Sequence, residues 1–524
     1  MKNIISKLKN KFFNDKNTRD FIEHNYFIWK NDKRENSGNK VLVELCGLQH
    51  CIIAWSYFAN ALAEMHDASI YTYYGNVKIK DYATYDIYKS FNVDGCIVEK
   101  INKQDTKRKI KLLNNIFLGL KEKKDVLDIN VDGINIGTEI YESYLIAGHP
   151  TVDINDTELK KLIDIGISKV IFWKKYLCSG TVKSIIISHD CYLGAIIRKL
   201  ANYYNIPIYQ ITTNWGVKLA KDFTFGANFK YYKKFFNQLS TEKKTEGVNW
   251  AKTQLEKRFS GEIGVDMYYS KKSSFNPIIS TTSKVLQENN KLKVLICTHC
   301  FFDNPYAYGK LLFTDFYEWL CFLGEMSNIT DYDWYVKTHP DYRPGTIETL
   351  TSIVKRYPKL KIISPNIPHQ QLVQEGIKFV LTVYGTVGCE YPLMGVQVVN
   401  AGCNPHEAYD FNWHPKTIEE YKEIILNLST IDKKIDKEEV YQFYCVHHLY
   451  ANYYSKLRGK DDLIFLSEEN MRKVLKEDVY TSKIYKYFLN EFTVTRHESI
   501  KKNVKQYIES MNKYKNDDIG IGNI

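Results

Sequence analysis

From Lys40 onward, apolar and polar positions follow a repeating pattern of short apolar runs and amphipathic stretches. The run VLVELCGLQH, beginning at Val41, predicts a buried strand; Ile52 to His66 reads as an amphipathic helix, and ASIYTYY as a second strand. The alternation returns from Lys183 to Gln210, where SIIIS runs into His189 and Asp190, a helix continues through Leu200 to Tyr204, and IPIYQI forms the next strand. A second series begins with KLKVLICTH (291–299) and continues with DWYVKTHP (333–340), LKIIS (360–364), KFVLTVYGT (378–386) and VQVVNAG (396–402). Continuously apolar strands separated by helices imply parallel sheets covered on both faces. The expected fold class is therefore α/β, with two Rossmann-like domains facing a cleft and a helical C-terminal extension from about Thr417. The pattern divides the chain into a basic helical segment (1–39), a first domain (40–285), a second domain (286–416) and the extension (417–524). Residues 214–285 are rich in aromatic and charged residues, and KKSSFNPIISTTSK near their end reads as a linker.

A chain of 524 residues, 44% of them hydrophobic, is long enough for two cores. Apolar runs such as Val41 to Leu45, Ile185 to Ile187 and Phe379 to Val383 fall far short of the roughly 20 residues a membrane-spanning helix needs. The opening MKNIISKLKNKFF lacks the apolar core and cleavage site of a secretory signal, so a cytoplasmic location is expected. Ile4, Ile5, Leu8, Phe12 and Phe13 share a loose helical face, which suits either peripheral contact with the inner membrane or packing on the domain. The 11 cysteines are scattered and odd in number, which speaks against a disulfide framework or a structural zinc site. The net charge of +11 is spread among acids rather than gathered into a stripe, so nucleic acid is not expected as a partner.

The chemistry-bearing residues cluster at strand ends, where open α/β sheets bind ligands. In LTVYGTVGCEYPLMG a strand ends at Gly385, Thr386, Val387 and Gly388, and Glu390 falls in the first turn of a helix. Glycines allow close backbone approach to a phosphate, free amides attract its charge, and Glu390 can accept from a ribose or simply complement the helix dipole. His339 and Pro340 close the strand before, where an imidazole can donate to a phosphate or protonate a leaving oxygen. In the first domain, Asp190 is the candidate base for an acceptor hydroxyl or an N-cap, with His189 beside it, and His50 has the same double reading. His299 and Asp303, with Asn304, line the expected cleft; no third ligand has the spacing of a metal site, so no metal is expected. There is no P-loop or nucleophile elbow.

The segments THCFFDNPYAYGKLLFTDFYEWL, DWYVKTHPDYRP and LTVYGTVGCEYPLMGVQVVNAG, in this order, resemble the C-terminal half of bacterial capsule and lipopolysaccharide glycosyltransferases of the GT-B fold. The resemblance covers about residues 290 to 405. In the related sialyl- and Kdo-transferases an HP motif and a Ser/Thr-bearing turn bind a cytidine nucleotide, which maps onto His339, Pro340 and Thr386 here. Where sialyltransferases often carry Ser or Ser-Ser, this chain has Tyr384-Gly385-Thr386, which leaves uridine and guanosine sugars open beside a CMP-linked one. The resemblance implies a metal-independent enzyme without a cofactor. Its partners would be a nucleotide-sugar donor and a glycan or glycolipid acceptor. A nucleotide-sugar 2-epimerase, a polyol-phosphate transferase of teichoic acid synthesis and a non-catalytic assembly scaffold are the alternatives.

Overall fold

The computed structural model describes residues 15–32, 38–45, 49–74, 82–211, 216–219, 229–265, 272–275, 284–340, 342–450, 481–491 and 493–513. The apolar face from Ile4 to Phe13 lies outside them. Two sheets organise the chain. The first contains β1 (Lys40–Glu44), β2 (Ser69–Tyr73), β3 (Val93–Ile97), β6 (Val182–Ile187), β7 (Ile208–Ile211) and β8 (Gly216–Leu219), in the order β3-β2-β1-β6-β7-β8. All its neighbours are parallel except β8, an antiparallel edge strand on β7. The short strands β4 (Asn130–Val131) and β5 (Ile134–Asn135) form a separate hairpin. The second sheet contains β9 (Lys293–Cys297), β10 (Asp333–Lys337), β11 (Leu360–Ile362), β12 (Ile377–Thr382) and β13 (Gln397–Asn400), ordered β11-β10-β9-β12-β13 and wholly parallel.

Period-two geometry explains the continuous apolar runs, because successive side chains enter opposite layers. In β1, Val41 and Val43 pack toward helices Gln49–His66, Lys483–Glu491 and Val494–Lys513, while Leu42 packs toward helices Gly137–Ile146 and Thr157–Leu177. In β9, Val294 and Ile296 face helices Phe316–Ile329 and Thr346–Arg356, while Leu295 and Cys297 face the other layer. Each such aliphatic side chain, fully removed from water, contributes roughly 1.5–3 kcal/mol.

Two boundaries differ from those expected. Helix Thr241–Phe259, placed by the sequence pattern in the first domain, packs Val248, Ala251 and Leu255 with Cys389, Leu393, Phe443 and Tyr444 of the second half. Its apolar side is complementary to that layer, and only Gly247, Val248, Ala251 and Leu255 of the helix are buried. Conversely, Ile500, Val504 and Ile508 near the chain's end enter the core of the first sheet. His497 fastens this return: Nδ1 shares a hydrogen bond with the Tyr57 hydroxyl (2.9 Å) and Nε2 lies 2.9 Å from the Asp32 carboxylate. Among the described residues, no helix is long and apolar enough to cross a membrane.

Candidate functional site

The strand order of the second sheet decides where a site can form. From central β9 the chain proceeds outward to β10 and β11, then returns to the other side of β9 as β12 and β13. The loops after β9 and β12 therefore diverge and open a crevice beyond the carboxyl ends of the strands. A cavity of about 820 Å³ lies there, within the usual range for small-molecule sites. Its wall is drawn from Thr298 to Cys300 after β9, Lys337 to Pro340 after β10, and Tyr384 to Val387 after β12.

The turn after β12 is tightly built. The Thr382 hydroxyl accepts from the Gly385 amide (3.3 Å), and a Cβ at Gly385 would stand 2.9 Å from that same oxygen, so close approach requires glycine. Gly388 has another reason to be glycine: a Cβ would meet the buried His406 ring at 2.3 Å. Gly388 does not line the cavity, and its amide is spent on the Gly385 carbonyl (2.9 Å), which corrects its reading as a phosphate-facing residue. Of the four amides from Gly385 to Gly388, only those of Thr386 and Val387 are left without a partner among the described residues.

His299 holds this turn from the opposite strand. Its Nε2 lies 3.1 Å from the Thr382 hydroxyl and accepts from the Val383 amide (3.1 Å), so the ring is neutral with its proton on Nδ1. Burial, with His339 adding to it, holds its pKa down to about 3. His299 thus lines the cavity as an anchor, not as a proton donor. His339 stands at the rim with an exposed ring, while its neighbour Thr338 is buried. Lys337 is 2% exposed, donates to the Pro365 carbonyl (2.9 Å), and has its pKa lowered by burial.

Glu390 is also buried, but it faces Arg258 instead of open space: the guanidinium Nε donates to Oε1 at 2.7 Å. Another guanidinium nitrogen of Arg258 donates to the Thr386 hydroxyl (3.4 Å). The carboxylate therefore aims a cation at the glycine turn, and the expectation that Glu390 itself accepts from a ribose gives way to this role. Lys272, at the same wall, donates to the Pro340 carbonyl at 3.5 Å. Three cations (Arg258, Lys272, Lys337) thus meet two carboxylates (Asp303, Glu390) around the cavity. Thr298, Thr338 and Thr346 belong to its wall as well, and their hydroxyls are buried without a hydrogen-bond partner among the described residues. Buried polar groups are ordinarily satisfied, and three of the unmet ones belong to residues of this one wall.

The first half contributes differently from the expectation. Asp190 is an ion-pair partner of Arg198 on the next helix, its side chain 9% exposed, and it does not line the cavity. It caps no helix: the turn Leu193–Ala195 that follows has Tyr192 at its N-cap position. Burial raises its pKa despite the guanidinium, but a carboxylate enclosed away from the cavity wall has no substrate proton within reach there, which corrects its reading as the base. His189 is exposed nearby but also off the cavity wall. His50 begins the helix Gln49–His66, its side chain outside the described residues. Asp303 does line the cavity and is joined to the first half, because Oδ1 accepts from the Tyr192 hydroxyl at 2.7 Å. Tyr192 adopts a left-handed φ of 58°, a strained conformation held by its amide's hydrogen bond to Glu142 (3.1 Å).

Arg258, Lys272 and the three threonines escape a reading of the sequence. Arg258 lies in the last turn of its helix, where a basic residue merely complements the dipole. Thr338 and Lys337 sit within the KTHP motif, beside the residues that attract attention, and that motif was the available signal.

No family model matches this chain, and no curated protein does. Among solved structures it is similar to the beta Kdo 2,4 transferase KpsC of Thermosulfurimonas dismutans, at 12% identity and a TM-score of 0.30, covering 50% of this chain and 79% of that one. It is similar to a glycosyltransferase of Rickettsia africae (12% identity, TM-score 0.26, covering 84% and 99%). It is also similar to the UDP-GlcNAc 2-epimerase of Neisseria meningitidis bound to UDP-GlcNAc (11% identity, TM-score 0.20, covering 86% and 100%). Scores this low add nothing to the architecture already described by the strand order.

Proposed function

We propose that this chain is a metal-independent glycosyltransferase of GT-B architecture. It takes a sugar from a nucleotide-sugar donor and passes it to a bacterial surface glycan of the capsule or lipopolysaccharide type. One observation carries the reading: a cavity at the switch point of a parallel sheet, with cations in excess and three buried threonine hydroxyls unmet. A buried hydroxyl left without a partner costs about 1–3 kcal/mol, which an incoming acceptor oxygen offsets. Phosphate oxygens supply both the acceptors and the negative charge.

In this reading the donor nucleotide occupies the second half. Thr298, Thr338 and Thr346 donate to its oxygens, Arg258 stands at the glycine turn under the control of Glu390, and Pro340, Gly385, Thr386 and Val387 shape the wall. His339 donates from the rim to the departing phosphate. As the bond between the sugar and the phosphate breaks, negative charge grows on the phosphate, and donors already fixed in place stabilise it without reorganisation. The acceptor glycan enters from the first half, past the Tyr192 and Asp303 contact.

The test is a thermal-shift panel of CMP, CDP, UDP and GDP on the wild type and on His339→Ala. The expected result is a rise in melting temperature with one nucleotide class, reduced in the variant; ligand at about 100 times its Kd stabilises by about 2.7 kcal/mol. No shift with any nucleotide contradicts the reading. Incubation of the donor alone separates an epimerase, which converts it, from a transferase, which needs a glycan acceptor to release nucleotide.

A further inference from the structure

Helix Lys103–Gly119 runs KQDTKRKIKLLNNIFLG and buries none of its residues. Its inner side is half-buried: Leu112, Leu113, Ile116 and Phe117 rest on the apolar layer beneath the first sheet. Ion pairs at its flanks hold it there, Arg108 to Asp132 and Lys109 to Asp164.

The outer side has a different character. At about 100° per residue, Lys103, Lys107, Ile110, Lys111, Asn114 and Leu118 fall within one stripe of about 100°. All six are exposed. Leu118, at 83%, is the most exposed large hydrophobic side chain among the described residues, and Ile110 is 50% exposed. The three lysines have no acidic partner among the described residues, although basic residues on the flanks of the same helix do. Two aliphatic side chains set between cations that have no acidic partner among the described residues give the stripe an apolar and a cationic component together. Aliphatic groups that enter an acyl boundary, flanked by lysines that meet anionic headgroups, are the design of an interfacial helix.

We propose that this stripe docks on an anionic lipid bilayer. The loop that follows reaches the junction of the two halves, where the Lys123 ammonium donates to the Thr151 hydroxyl (2.8 Å) and pairs with Glu318 of helix Phe316–Ile329. Docking therefore holds that junction beside the membrane surface. The inference does not depend on the nucleotide reading of the cavity.

The experiment is co-sedimentation of the full chain with vesicles of phosphatidylcholine alone or with about one-third phosphatidylglycerol, at low and high salt. The wild type is expected to bind only the anionic vesicles, and less at high salt. The triple variant Lys103→Glu, Lys107→Glu, Lys111→Glu should lower the bound fraction about tenfold or more, since each lysine near the surface contributes about fivefold. The pair Ile110→Ser, Leu118→Ser should lower it severalfold, and Leu118→Trp should raise it, a gain that misfolding does not produce. Absence of binding to anionic vesicles overturns the proposal. So does binding that survives the triple variant, which would assign it to another surface. Binding lost with the lysines but untouched at Ile110 and Leu118 also overturns it, in favour of a soluble polyanion or acidic protein. Unchanged melting temperatures confirm that the exposed substitutions leave the fold intact.

Discussion

Around their first strands the two sheets share a strand order, yet the charged groups at their switch points are used differently. Between β1 and β6, the buried Glu44 carboxylate accepts from the Ser188 amide at 2.7 Å, the Tyr88 hydroxyl donates to the Glu44 carbonyl, and Asp190 is enclosed with Arg198. These groups are held within the protein, although the Ser184 hydroxyl on β6 and the Gln210 side-chain oxygen on β7 are buried without a hydrogen-bond partner among the described residues. Between β9 and β12, the hydroxyls of Thr298, Thr338 and Thr346 also find none among the described residues, and Arg258 is aimed at the turn by a buried carboxylate. Topology alone thus marks two places where a ligand can sit, and what distinguishes the second is its cavity, lined by Arg258, Lys272 and Lys337.

Four perturbations break or sharpen this contrast. The largest effect is expected from acid, because the second half carries buried neutral histidines. Burial holds His299 down to about 3 and His414 to about 4, against an ordinary 6.5, and pushes His369 and His406 well below it. Between those values the unfolded chain binds protons that the folded chain refuses, so stability is full above about pH 6.5 and falls as pH drops toward 4 and then 3. A melting temperature that stays level from neutral pH to pH 4 would sink this prediction.

Next in size is Arg258→Ala, which leaves Glu390 buried without its cation and should cost about 3 kcal/mol in a denaturant titration. Adding Glu390→Gln should recover much of that stability, but not nucleotide binding. Recovery of both would show that Arg258 has no part in the site. In the crevice of the first sheet, Asp190→Asn weakens the ion pair with Arg198 and should cost about 1–3 kcal/mol, with the nucleotide-induced shift preserved. A lost shift would return Asp190 to the site.

Thr338→Val comes last because it should cost no stability: the hydroxyl it removes is buried without a partner among the described residues, so the variant should be as stable as the wild type or more stable by up to about 1–3 kcal/mol. Its effect on nucleotide affinity should be about tenfold or more, because a hydrogen bond to a charged oxygen contributes about 1.5–3 kcal/mol. Substitution of a satisfied hydroxyl would give the reverse pattern.

The strands were legible because a parallel strand buried on both faces must be apolar throughout, as VLV at β1 and VLI at β9 are. The loops after β10 and β12 were legible because proline and glycine punctuate them. What each residue does there was less so. Gly388 carries the same signal of close approach as Gly385, but what approaches it is the His406 ring. Asp190 stood at a strand end as a base would, and only folding brings Arg198, eight positions on, against it. Arg258 comes from helix Thr241–Phe259, whose apolar residues match a layer assembled from segments some 130 to 200 residues further along, so no local pattern could assign it to the cavity. Periodicity reports which face is buried. It does not report which polar group is left unmet.

The most direct test of the central claim is a calorimetric titration of wild type and Thr338→Val with CMP, CDP, UDP and GDP in parallel. The account predicts that one nucleotide class binds the wild type, and that the valine variant, at least as stable, binds it at least about tenfold more weakly. Equal affinity in the two proteins, or no binding to the wild type by any of the four, would contradict it.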